Sequence, residues 1–142
     1  MLQVAETIIK AQIFKRRLKK MIFLNKASEN LLAAQISLQN GLFNACANRA
    51  YYGALQAAIA ALEHKGLKRK RVDHGWVQAN FNNHFINRHK IYPRKFRYYL
   101  LDMQAIRDQA DYESESITKK EAQRQVNKLK EFIAIIKREI CK

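Results

Sequence analysis

The chain has one proline and four glycines in 142 residues. So few breaks favour long helices and speak against a many-stranded sheet with its turns. Cysteine is as scarce: Cys46 and Cys141 make neither a disulfide framework nor a metal-ligand spacing, so no metal or cofactor is expected and two reduced thiols are. Acidic residues are short in the first part of the chain. Residues 1–100 hold 4 Asp and Glu against 18 Lys and Arg, whereas residues 101–142 hold 8 against 9. No apolar run approaches the ~18 residues of a membrane span. Stable membrane insertion is therefore not expected, and the cytoplasm is the default location.

What the sequence does carry is basic charge and helical periodicity. The formal net charge is +15. Most of the excess lies in "KRRLKK" (15–20), "KGLKRKR" (65–71) and "RHKIYPRKFR" (88–97). Such a field draws polyanions, nucleic acid first and an anionic membrane surface second, unless it is only a solvated basic face. The first 24 residues are basic and partly amphipathic, but Glu6, the lack of serine and the lack of a small-residue cleavage site argue against a transit peptide or a membrane-surface helix. A hydrophobic content of 48% makes disorder a poor reading.

Apolar residues recur at helical spacing in several segments. Leu24, Ala27, Leu31, Ala34 and Leu38 mark the first, which stops at Asn40-Gly41; residues 2–20 are either a separate helix or an extension of it. A second runs from about Leu42 to His64 and is closed by Gly66. Asp73 is placed to cap a shorter helix holding Trp76, Val77, Phe81 and Phe85. Pro93 suits the start of another, with Phe96, Tyr99, Leu100, Met103, Ile106 and Ala110 as its apolar stripe. Thr118 and Glu121 have capping-box spacing before a last helix with Val126, Leu129, Phe132, Ile133, Ile136 and Ile140. Strand alternation is absent. The expectation is an all-α, up-and-down bundle of about four to five helices over residues 21–142, preceded by a basic helix or arm over residues 1–20.

The second helix poses the functional question. At about 100° per residue, Arg49 and Gln56 fall within roughly 20° of each other, with Tyr52 and Glu63 close to the same line. Ala45, Gly53 and Ala60 lie between them and allow another backbone to approach. The rest of the circumference is apolar, as in a central helix. This polar seam either lines a cleft, or faces a second helix or its own copy across a two-fold axis. The plain alternative is a buried arginine neutralised by Asp111 or Glu63.

The stretch "LFNACANRAYYGALQAAIAALEHKG" resembles the central segment of small stand-alone HEPN-domain proteins of bacteria and archaea, which commonly read Asn-Arg-Ala-Tyr-Tyr-Ala, two residues, then His. "DHGWV" (73–77) and "RDQADY" (107–112) resemble two further pieces of that family, in order, over about residues 22–140. The resemblance implies a helical homodimer with the arginine helices facing each other across a cleft. It also implies a metal-independent endoribonuclease, or a catalytically silent relative; some members are toxins held by a minimal nucleotidyltransferase antitoxin.

The chemistry of that signature is clear. Histidine titrates near neutrality and moves protons, and arginine offers a fixed fork to phosphate oxygens. Here the histidine position is Gln56, an amide that holds a phosphate or base edge but exchanges no proton at pH 7. The expectation is thus an RNA- or nucleotide-binding HEPN dimer with a degenerate ribonuclease motif. The alternative is an active toxin using Arg49 with His74 as the proton-transfer group. Asn48, Arg49, Tyr52, Gln56 and Arg107, with the loop residues Lys68, Arg69, Lys70 and Arg71, are the candidate phosphate or nucleic-acid contacts. Asp111 and Tyr112 are candidate cleft residues. Arg107 and Asp111 either form an internal ion pair at i,i+4, or line the cleft with Asp111 positioning Arg49.

Overall fold

The computed structural model describes residues 1–68, 71 and 73–142, the Lys20 side chain excepted. Five helices follow in order: α1 (Leu2–Gln39), α2 (Phe43–His64), α3 (His74–Phe81), α4 (Phe96–Tyr112) and α5 (Lys119–Ile140). A π-helical segment, Asn82–Arg88, continues α3. No strand occurs among the described residues, so the fold is all-α as expected. None of these helices is long and apolar enough to cross a membrane.

Residues 2–20 prove to be an extension and not a separate helix. Nothing between Leu2 and Gln39 is Gly or Pro, so no local break divides α1. Its stretch from Leu2 to Lys19 is exposed all round and projects for roughly 27 Å at 1.5 Å per residue. Packing begins at Met21, and Leu24, Ala27 and Ala34 are buried against the bundle. The helix stops where expected: the Asn40 amide donates to the Ile36 carbonyl at 2.8 Å and Gly41 takes φ 73°.

Helix α2 is the centre of the bundle, packed mainly against α1 and also on α3, α4 and α5. Eight of its 22 residues are alanine, the best helix former and one that keeps neighbouring axes close. A Cβ at Gly53 would lie 2.8 Å from Leu129 of α5 and 3.3 Å from the Ala27 carbonyl of α1. Gly53 therefore marks a close approach to two helices at once. Of the other two small seam residues, Ala60 is buried and Ala45 is exposed.

The remaining ends follow from capping chemistry. The Asp73 carboxylate accepts from the Trp76 amide at 3.1 Å, and the Thr118 hydroxyl accepts from the Glu121 amide at 3.1 Å. Helix α4 starts at Phe96, three residues after the proline: the Phe96 amide donates to the Pro93 carbonyl and Arg97 to Arg94, so Pro93–Lys95 form the tight turn that feeds the helix. Around this turn sits an aromatic core. Phe132 of α5 contacts Phe96 at 4.8 Å and Phe81 at 5.4 Å between centroids, and Phe81 stacks on Tyr92 at 5.5 Å.

The two thiols part company. Cys46 is buried against the Ala122 carbonyl and burial pushes its pKa up to about 11, while Cys141 is exposed. At pH 8.5, iodoacetamide is expected to alkylate Cys141 within minutes and Cys46 only after denaturant is added, read by intact mass. Rapid double labelling of the native protein would contradict this placement.

Candidate functional site

The seam of α2 meets one face of α1 and one of α4, and a continuous polar chain runs across all three. Gln56 accepts from the Asn30 amide at 2.8 Å, and the Asn30 oxygen accepts from Arg49 Nη1 at 3.2 Å. Asn48 Oδ1 accepts from both Nε and Nη2 of Arg49, at 2.9 and 2.5 Å. The Asn48 amide in turn donates to Asp111 Oδ2 at 2.9 Å, which also accepts from Arg107 Nε at 2.9 Å. Each asparagine has its donor and acceptor committed to different neighbours, which fixes the amide orientation along the chain.

The two arginines differ in how they are held. Arg107 is paired with carboxylates, Asp108 at 3.2 Å and Asp111 at 2.9 Å. Half-buried Arg49 has no ion pair among the described residues; its three contacts are to neutral amide oxygens. Carbonyl oxygens aim a guanidinium without cancelling its charge. The plain alternative, neutralisation by Asp111 or Glu63, is thus not what the fold adopts. Asp111 reaches Arg49 only through Asn48, because the short Asn48 side chain lies between them and Arg107 takes the carboxylate.

Tyr52 links the two. The Arg49 and Arg107 guanidiniums lie 5.2 and 5.3 Å from its ring centroid, and Arg107 Nη2 donates to its hydroxyl at 3.0 Å. Arg107 also donates to the Tyr112 hydroxyl at 3.4 Å and lies 5.5 Å from that ring. Burial works against the Arg107 charge, but Tyr52, Tyr112, Asp111 and Asp108 together outweigh it and raise its pKa above the usual value.

His74 belongs to the same constellation. Its Nδ1 lies 3.1 Å from the Tyr51 hydroxyl, and its ring stands edge-on to Tyr52 with centroids 5.9 Å apart. Gln78 donates to Tyr51 at 3.4 Å and to Gln104 at 2.7 Å, tying α3 to α2 and α4. Burial raises the Tyr51 phenol pKa, so it stays protonated at neutral pH and keeps a hydroxyl toward the imidazole.

The structure thus brings Asn48, Arg49, Tyr52, Gln56, His74, Arg107, Asp111 and Tyr112 together. Lys68 is elsewhere: it borders a hollow with Arg16, Lys19 and Glu63 past the far end of α2, which places it about 22 Å along that helix from Arg49. Arg71 is exposed, and Arg69 and Lys70 lie outside the described residues. Sequence reasoning missed Asn30, Asp108, Gln78 and Gln104. The one signal for Asn30 was a lone amide flanking the Ala27–Leu31–Ala34 stripe, which periodicity reads as surface.

The family model of the HEPN domain matches residues 21–140. The chain belongs to the HEPN family. It is also similar to a candidate toxin of Methanocaldococcus jannaschii, 32% identical over 115 residues that cover 79% of this chain and 81% of the relative. The match begins where α1 enters the bundle, so the exposed stretch from Leu2 to Lys19 lies ahead of the HEPN domain.

Proposed function

We propose that this HEPN protein is a homodimeric RNA-binding module of the toxin-like branch, gripping phosphate through Arg49 in a cleft between two copies of α2. One observation carries the reading: Arg49 is aimed by two asparagine oxygens and carries no carboxylate partner among the described residues. A structural arginine would be neutralised, as Arg107 is next to it. The amide of Gln56, seven residues on, supports binding and supplies no general acid or base. A nucleotide phosphate would meet the same groups.

The test pairs binding with mass. Light scattering is expected to give twice the protomer mass. Arg49→Ala is expected to weaken single-stranded RNA binding by about 30-fold or more, since a charge-assisted hydrogen bond to phosphate is worth about 2 kcal/mol. Unchanged affinity in a folded R49A variant would remove the reading.

A second reading, a metal-independent endoribonuclease toxin restrained by a minimal nucleotidyltransferase, is favoured by His74, whose imidazole stands beside Tyr52 and hence close to both guanidiniums. In chelator, RNA cleavage by the native chain that His74→Ala abolishes would establish this reading in place of the pure binder.

A further inference from the structure

A second basic site lies where the π-helical segment meets the start of α4. A hollow of about 430 Å³ is lined by Ile86, Asn87, Lys90, Tyr92, Arg94 and Arg97. Its floor is firm: Ile86 and Tyr92 are 7% and 6% exposed, and Tyr92 stacks on Phe81 and stands edge-on to Phe85 at 5.2 Å. Its rim is three exposed cations and an amide.

None of those cations has an ion pair among the described residues. The contrast with their neighbour is informative. Lys95, between Arg94 and Arg97 in sequence, turns away and is paired with Glu131, which Tyr99 also bonds at 2.8 Å. Glu139 is near enough for its charge to add to burial in raising the Tyr92 phenol, but it is held by Lys142 at 2.8 Å. Three like charges gathered at one concavity repel each other unless an anion fills it.

The backbone adds a second sign. Lys90 has φ 51°, in the left-handed region where glycine or asparagine is the ordinary occupant. A cation is kept there at a conformational cost. The π-helical turn before it, rare and concentrated at functional sites, sets the Asn87–Lys90 rim.

We infer that this hollow is a second RNA phosphate subsite, built to hold the backbone of a strand whose other contact is the Arg49 cleft; it rests on the RNA-binding reading. Arg94 and Arg97 supply planar forks for phosphate oxygens, and Lys90 and Asn87 supply further donors. The aromatic floor is too buried to stack on a base, so the site reads phosphate and not sequence. Arg97 and Arg107 share α4, ten residues apart, which is about 15 Å along the axis and about 80° around it. A strand of several nucleotides is long enough to reach from one site to the other.

The experiment uses the full chain and fluorescein-labelled single-stranded RNA of twelve nucleotides, with anisotropy read from 50 to 300 mM KCl. The double variant R94Q/R97Q is expected to lose about tenfold or more in affinity at 100 mM, equally for unrelated sequences, and to flatten the log–log salt slope by about 1.4. Both side chains are exposed, so its melting temperature should match the native one, and R94K/R97K should recover most of the binding. R49A run in parallel separates the two sites. Unchanged affinity and slope in R94Q/R97Q, with R49A impaired, would overturn the subsite and leave the cleft standing; the reverse pattern would keep the subsite and remove the cleft. If R94Q/R97Q instead lost only sedimentation with phosphatidylglycerol vesicles, RNA binding being intact, the site would serve lipid headgroups and the inference would be wrong.

Discussion

Gln56→His is expected to switch on cleavage of single-stranded RNA in EDTA, raising the rate by about 10²–10⁴-fold over the native chain, the usual contribution of a positioned general acid or base. Position 56 lies one seam-length from Arg49, and both contact the same Asn30 side chain. An imidazole there would donate from one nitrogen to the Asn30 oxygen, which has two lone pairs, and leave the other free to take or give a proton at the phosphate that Arg49 holds. With an ordinary histidine pKa of about 6.5, the rate should pass through a maximum near neutrality and fall at both ends. If Q56H binds RNA as the native chain does yet yields no product above background, the Arg49 seam does not face a scissile phosphate. If H74A already changes native cleavage, the histidine of α3 is the working group.

The largest expected effect on stability comes from Phe132→Ala. Phe132 is 0% exposed and meets Phe81, Phe96 and Tyr99 with centroids 4.8 to 6.3 Å apart, so its removal empties the junction of α3, α4 and α5. The lost transfer energy and the cavity together cost about 3–5 kcal/mol, against a whole-domain stability of about 5–15 kcal/mol. Urea unfolding should show the midpoint falling by roughly 2 M at a slope near 2 kcal/mol/M. A loss below about 1 kcal/mol would mean that α5 does not close on that aromatic core.

How far the site could be read in advance depends on what each residue needed. Arg49 and Gln56 share a face because seven residues make nearly two turns, and this is arithmetic on one helix. The Arg107–Asp111 pair follows from i,i+4 spacing in the same way and is present at 2.9 Å. The partner of Arg49 did not follow. Asp111 and Glu63 had the right charge, yet the contacts are Asn30 and Asn48, because α1 crosses α2 closely at Gly53 and brings an amide within reach. Likewise the small seam residues signalled close packing correctly but not against what: Gly53 admits α1 and α5 of its own chain.

By itself the sequence determined which segments are helical, where Asp73, Thr118, Gly41 and Gly66 end or begin them, and where the basic residues concentrate, since periodicity, caps and charge are properties of neighbours along the chain. Only the tertiary structure decided that α1 runs unbroken out of an exposed stretch, that Arg49 has no ion pair among the described residues, that Lys68 stands apart from the cluster, and that Lys90, Arg94 and Arg97 share one hollow while Lys95 turns to Glu131. Those outcomes depend on how helices cross and which side chains reach between them, over distances that no spacing within a single helix encodes.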